Sequence, residues 1–285
     1  MRPFVPAAPL TLALGDRSVD VTTRALVMGI LNRTPDSFYE PAATPDLDRL
    51  LERADRLVAD GADVLDVGGV RAGPGPEVSE SEELERVVPV IEELRRRFDV
   101  PISVDTWRSA VAAAGFDAGA VVGNDISGFA DPQYLKVAAA AGATVVATHI
   151  RLAPRVADPD PHYDDVTATV VDYLIERRRR ALDAGVEATR IILDAGLDLG
   201  KTPAQSLQLL RDSSSIARLG TPLLLSASNK TFLGEMFDLA VGERTEVSLA
   251  ATALGVIGGC RVLRAHDVEG TVRVRDALAA VMESA

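Results

Sequence analysis

Polar and ionisable residues recur at one place in the pattern of this chain, just past or at the end of a short apolar run. Asn32 follows Val27-Met28-Gly29-Ile30-Leu31, Asp66 follows Val64-Leu65, and Asp105 ends Ile102-Ser103-Val104. Asn124-Asp125, His149 and Asp194 come after three further runs. Ser226, Ser228 and Lys230 follow Leu223-Leu224-Leu225, and Arg264, His266 and Asp267 follow the last run. Buried carboxylates are costly unless paired or hydrogen-bonded, so Asp66, Asp105 and Asp194 together suit a ligand rich in N–H donors. Lys230, Arg264 and His266 suit an anion. The combined set describes a small, flat, polar heterocycle carrying a phosphate. Singly, each residue also has a bland role: Asp105-Thr106 stands before a helix, where an aspartate serves equally well as an N-cap.

The apolar runs are the elements that must position these groups. A short apolar run bounded by turn residues reads as a strand buried on both faces. In Val27 to Glu40, VMGILNRTPDSFYE, the run stops at Asn32 and Pro35 forbids its continuation. The same unit repeats, with strands at Val64–Val67, Ile102–Asp105, Val121–Ile126, Thr144–Ile150, Ile191–Asp194, Leu223–Leu225 and Arg261–Ala265. Helical patterns lie between them: about Pro45–Asp60, Ser79–Phe98, Arg108–Ala118, Pro132–Ala141, Asp165–Ala184, Pro203–Leu219, a stretch including Thr245–Ile257, and Val268–Met282. Eight βα units in 285 residues indicate an α/β protein of the (β/α)8 TIM-barrel class, whose ligands sit at the carboxyl ends of the strands. A doubly wound open sheet is the runner-up, but no G-x-G-x-x-G follows the first strand. Alternation around Gly15-Asp16 predicts an N-terminal β-hairpin, a lid over one end, giving a hairpin unit over 1–24 and a barrel over 25–285.

The formal charge of −12 argues against nucleic-acid and anionic-membrane partners while leaving room for a locally basic pocket. With 47% hydrophobic residues a large core needs no staples. The single cysteine, Cys260, cannot form an internal disulfide and favours a cytoplasmic setting. Pro6 and Pro9 break the apolar N-terminus, so no signal peptide is expected, and no run is long enough to span a membrane. The basic run Arg177–Arg180 reads as a solvated helix face, and the Pro-rich stretch Leu152–Asp164 as a long loop of the kind that often carries function.

These motifs resemble the dihydropteroate synthase family across nearly the whole chain after the hairpin. GILNRTPDSFYE is similar to the family's first-loop signature, and SVDT (103–106), NDISG (124–128), LDAGLDLGK (193–201) and LRAHDV (263–268) follow in the family's order. The resemblance implies a pterin-binding TIM barrel that joins a dihydropterin-methyl diphosphate to p-aminobenzoate with Mg2+. It implies Asp66, Asp105, Asn124, Asp194 and Lys230 on the pterin, and Asn32, Arg264 and His266 on the diphosphate, with Asn32 also a metal ligand. Lys230, Arg264 and His266 would be the catalytic set; Asp36, Phe38, Arg71 and Ser228 would serve the aminobenzoate side. A homodimer through the late helices is also implied.

The departures cluster on the loops. Where family synthases read G-G-E-S-T-R-P-G, this chain reads Gly68-Gly69-Val70-Arg71-Ala72-Gly73-Pro74-Gly75. Arg33 replaces a small apolar residue, and S-R-K becomes Ser228-Asn229-Lys230. Asp198 and Leu199 replace a glycine and an aromatic, and Ile150 replaces a methionine after His149. This pattern resembles the second, divergent synthase paralogue of some folate-making bacteria, which is regarded as lacking normal synthase activity. The expectation is therefore a homologue with a pterin diphosphate pocket and altered aminobenzoate loops. The alternatives are an active synthase and, well behind, a methyltetrahydrofolate-binding methyltransferase.

Overall fold

Residues 4, 6, 8–33 and 45–283 are described by the computed structural model, so Asp36 and Phe38 of the first loop lie outside the described residues. An antiparallel hairpin comes first, β1 (Thr11–Leu14) and β2 (Arg17–Asp20). It turns through Gly15 at φ +61°, a left-handed angle that glycine adopts without a Cβ penalty. Eight parallel strands then close on themselves: β3 (Leu26–Asn32), β4 (Val64–Gly68), β5 (Ile102–Asp105), β6 (Val122–Asp125), β7 (Thr144–Thr148), β8 (Ile191–Asp194), β9 (Leu223–Leu225) and β10 (Cys260–Ala265). β10 pairs with both β3 and β9, which seals the barrel. The chain is the expected TIM barrel with a hairpin at its N-terminus.

The helices α1 (Pro45–Ala59), α2 (Glu80–Arg97), α3 (Ser109–Asp117), α4 (Tyr134–Ala140) and α5 (Val166–Asp183) alternate with the first strands. Ser79 caps α2 by accepting the Glu82 N–H at 3.2 Å, and Asp165 caps α5 through the Ala168 N–H at 3.0 Å. The helix expected over Pro203–Leu219 is instead two, α6 (Pro203–Arg211) and α7 (Ser213–Ala217). At the break, the Ser213 hydroxyl bonds back to the Leu209 and Leu210 carbonyls, and Asp212 accepts from Thr167. Such side-chain bonds compete with the backbone ladder. An unanticipated short helix, α8 (Thr231–Phe237), precedes α9 (Thr245–Ile257) and α10 (Val268–Glu283).

The hairpin closes the amino-terminal end of the barrel. Leu10, Leu12, Leu14 and Val21 form one buried cluster with Leu26, Met28, Val64, Val122, Val146, Ile192, Leu224 and Val262, early residues of the barrel strands. Its cover therefore lies opposite the strand ends that bear the polar residues. Leu12 is fully buried there, and truncating a buried leucine to alanine leaves a cavity that costs about 2–5 kcal/mol. Leu12→Ala should lower the urea midpoint accordingly, with ligand binding by the folded protein unchanged; a loss below about 1 kcal/mol would mean that the hairpin is not part of the core.

Candidate functional site

Strand alternation sorts the polar residues. Side chains at i and i+2 share a face, and Met28, Val64, Val122, Ile192, Leu224 and Val262 point into the plugged interior. Two residues further on come Ile30, Asp66, Asn124, Asp194, Ser226 and Arg264, the next layer up the barrel. Asn32, Asp105, Asn124, Asp194, Ser226, Lys230 and Arg264 line a cavity of about 180 Å3, walled from the loops by Val70, Arg71, Ala72 and Leu199.

Residues of the opposite parity do not join them. Asp125 accepts the N–H groups of Ser127 at 2.6 Å and Phe129 at 3.0 Å, a loop clasp. His149 sits against the edge of Tyr173, ring centroids 4.7 Å apart, with Nδ1 2.9 Å from Lys201 Nζ. Burial pushes the His149 imidazole down to about 3, and Lys201 adds to the effect, so it is neutral. Lys201 is itself buried and also donates to the Gly196 and Leu199 carbonyls. Gly196 is required there: at φ +64°, a Cβ would stand 1.9 Å from the His149 carbonyl oxygen.

At the centre of the cavity floor, Arg264 donates through Nε to Asp66 at 2.6 Å and through Nη2 to Asp105 at 2.8 Å. Burial works against the guanidinium charge, but Asp66 and Asp105 outweigh it and hold Arg264 above its ordinary value. Asp66 is fully enclosed and also accepts from Asn124 Nδ2 at 3.2 Å. Its carboxylate therefore orients Arg264 and Asn124. Asp105 keeps access to the cavity. Burial pushes its carboxyl up to about 7; Arg264 opposes the rise and the neighbouring Asp66 adds to it. Burial also raises Asp194, whose Oδ1 accepts the Gly196 N–H at 2.8 Å. Burial lowers Lys230, opposed by Asp198 and Asp194, and its Nζ donates to the Leu197 carbonyl at 3.1 Å. The cavity thus offers carboxylate oxygens, two amides and three cationic groups to a polar ring.

A second recess, about 330 Å3, shares Asn32 with this cavity and is lined by Ile30, His266, Arg49, Glu52, Arg53 and Arg56. Ser228 Oγ lies 3.1 Å from His266 Nδ1 and accepts the His266 backbone N–H at the same distance, fixing the ring. Burial lowers the His266 imidazole to about 4, helped by Arg264 and Arg53. Arg264 and His266, expected side by side on one anion, line separate recesses joined at Asn32. The α1 arginines escaped the sequence reading, although their i, i+4, i+7 spacing places them on one helix face.

The loop departures have structural partners. Asp198 accepts the N–H groups of Thr231 at 2.7 Å and Phe232 at 3.2 Å, capping α8 from across the barrel mouth. Asn229 occupies a left-handed angle, φ +58°, which asparagine tolerates. Its carbonyl accepts from Arg244 Nη1 at 3.0 Å. Arg33 donates to the Glu85 and Arg86 carbonyls of α2, each at 3.1 Å. The altered second loop is strapped by Arg155: its N–H bonds the Ala72 carbonyl at 2.9 Å, and its guanidinium bonds the carbonyls of Arg71, at 3.1 Å, and Pro76. Between this loop and Leu152–Asp158 lies a third recess, about 160 Å3, where Ala72, Pro74, Leu152, Val156 and Leu199 stand beside Asp158, Asp198 and Lys201.

Residues 28–266 match the model of the pterin-binding enzyme family. The chain is 44% identical to the inactive dihydropteroate synthase 2 of Mycobacterium leprae (strain TN), over 90% of this chain and 91% of that protein. It is 39% identical to the dihydropteroate synthase of Bacillus subtilis (strain 168), over 91% and 89% respectively. Among solved structures, the Xanthomonas albilineans dihydropteroate synthase with 4-aminobenzoic acid superposes with a TM-score of 0.89 at 36% identity, covering 96% of this chain and 99% of that one. Fold, cavity and relatives agree: the chain belongs to the dihydropteroate synthase family of pterin-binding enzymes and is a divergent member of it.

Proposed function

We propose that this protein binds a dihydropterin-methyl diphosphate and has lost normal transfer to p-aminobenzoate. The observation that carries this reading is the contrast within one cavity. Asp105, Asn124, Asp194, Lys230 and Arg264 converge on its floor, while its second-loop wall is Val70, Arg71 and Ala72, so that the one guanidinium of this loop stands before Ala72 and Gly73 rather than at Gly73. A carboxylate accepts paired N–H groups of an aminopyrimidinone ring, asparagine both donates and accepts, and Lys230 donates to the ring carbonyl. Asp66 acts by holding Arg264 and Asn124. His266 and Asn32 face the diphosphate, with Ser228 orienting His266, and Lys230, Arg264 and His266 form the set that would assist departure of the diphosphate.

Mg2+ fits as a partner of the substrate. Among the described residues no cluster of three or more histidine, cysteine or acidic side chains could hold a metal. Magnesium commonly takes one or two protein oxygens and completes its shell with phosphates and water. Asn32 supplies one such oxygen where the two recesses meet, and the ion would neutralise charge on the leaving diphosphate. An active synthase is the second reading. It is favoured by the fact that Asp198 and Asn229, the departures beside the pterin, are bound into the α8 turn.

The exposed Phe237 and Val241 near α8 and Leu254 on α9 form apolar surface on the late helices that supports a homodimer. The buried, unpaired Cys260 supports a cytoplasmic setting, and no described helix is long and apolar enough to cross a membrane.

Calorimetric titration with the dihydropterin-methyl diphosphate and Mg2+ tests the binding reading. Asp105 accepts N–H donors when ionised, and its carboxyl is pushed up to about 7. Affinity should therefore rise about 3- to 10-fold from pH 6 to 8 as the carboxyl ionises, and Asp105→Asn should bind more weakly and lose the rise. For the unliganded protein the sign is opposite: a raised acid contributes stability at low pH that is lost as pH climbs through about 7. Binding that is flat with pH, or equal in Asp105→Asn, would remove Asp105 from the site. Sedimentation equilibrium should return a dimer; a concentration-independent monomer would contradict the assembly.

A further inference from the structure

We propose that the recess beside α1 is a polyphosphate-binding extension of the diphosphate site, built for a linear chain of three or more phosphoryl groups. The proposal rests on the reading of Asn32 and His266 as diphosphate-facing residues and names what lies beyond them. Arg49, Arg53 and Arg56 stand on one face of α1 and wall the recess together with those two residues, Ile30 and a single carboxylate, Glu52, so three guanidinium groups face one acid. Like charges at helical spacing repel and weaken a helix. Among the described residues no carboxylate lies at ion-pair distance from any of the three arginines, and Glu52 is the one carboxylate that lines the recess with them. Asp55, on the same helix, is committed to Arg97 of α2, with Nε 2.9 Å from Oδ1. Arg53 is anchored over the strand end by donating from Nε to the Ile30 carbonyl at 3.3 Å, which keeps its remaining N–H groups for the recess.

This concentration of positive charge stands on a chain whose net charge is −12. The recess, about 330 Å3, is also larger than the adjoining ring cavity of about 180 Å3. A diphosphate meeting Asn32 and His266 leaves the arginine face unsatisfied. Guanidinium forks match phosphoryl oxygens in geometry as well as charge. The polyanion can be free or joined to the heterocycle that fills the ring cavity.

The test is calorimetric titration of the full chain with inorganic diphosphate and inorganic triphosphate at fixed ionic strength. The expected result is triphosphate binding about 10-fold tighter than diphosphate, with the preference abolished in R49Q/R56Q and intact in the charge-matched control R179Q/R218Q. Equal affinities in the wild type, a preference that survives R49Q/R56Q, or a preference lost equally in the control would overturn the extension. His266→Ala separates this from the underlying reading: diphosphate binding that is indifferent to His266 means the site itself is misassigned. A dihydropterin triphosphate that binds tighter than inorganic triphosphate identifies the heterocycle-linked source, and equal binding identifies the free chain; both support the extension.

Discussion

The buried contact of Arg264 with Asp66 and Asp105 is the interaction on which the site depends. It joins β10 to β4 and β5 across the barrel interior, at Nε–Oδ2 2.6 Å and Nη2–Oδ2 2.8 Å. Removing one partner of a buried ion pair leaves an uncompensated charge and costs about 3–5 kcal/mol. The same Asp66 carboxylate accepts from Asn124, so one enclosed residue holds a guanidinium and an amide directly and, through that guanidinium, the Asp105 carboxylate. Below this layer the interior is apolar and sealed by the hairpin. The polar layer therefore has one exit, toward the carboxyl ends of the strands.

Around this floor the loops that depart from the family pattern are held by bonds of their own. Asp198 caps α8, Asn229 accepts from Arg244, and Arg155 ties the second loop to the segment after β7. The charges of Asp198, Arg244 and Arg155 serve loop architecture. A barrel of this kind changes its chemistry by loops while its core persists. Here the second loop departs from the family pattern: Ala72 and Gly73 bring neither hydroxyl nor guanidinium, Arg71 is the guanidinium on that wall, and a Cβ at Gly73 would meet nothing within 4 Å.

Much of this was legible in the residues. Short apolar runs ending in polar residues located all eight strands, and the alternation around Gly15-Asp16 located the hairpin. Strand parity could also have separated Asp66, Asn124, Asp194 and Arg264 from the outward Asp125 and His149, because one face needs every second residue. Other features were not legible, since they depend on contacts distant in sequence. Asp198 gives no sign that it caps a helix beginning at Thr231, and Asp66 none that it will be enclosed by Arg264, 198 residues away. The split at Asp212 turns on one hydroxyl bonding back along the chain. The arginine face of α1 had a readable spacing, but its meaning came only from the recess it lines.

The proposed function, a heterocycle floor kept under a changed acceptor wall, makes one statement about turnover. The direct measurement is diphosphate release from the dihydropterin-methyl diphosphate, with Mg2+, with and without p-aminobenzoate, run in parallel on the wild-type chain and on A72T/G73R. The account predicts no aminobenzoate-dependent release from the wild type and a gain of it in the double variant. Aminobenzoate-dependent turnover by the wild-type chain would contradict the account, because the altered wall would then be no barrier to the transfer.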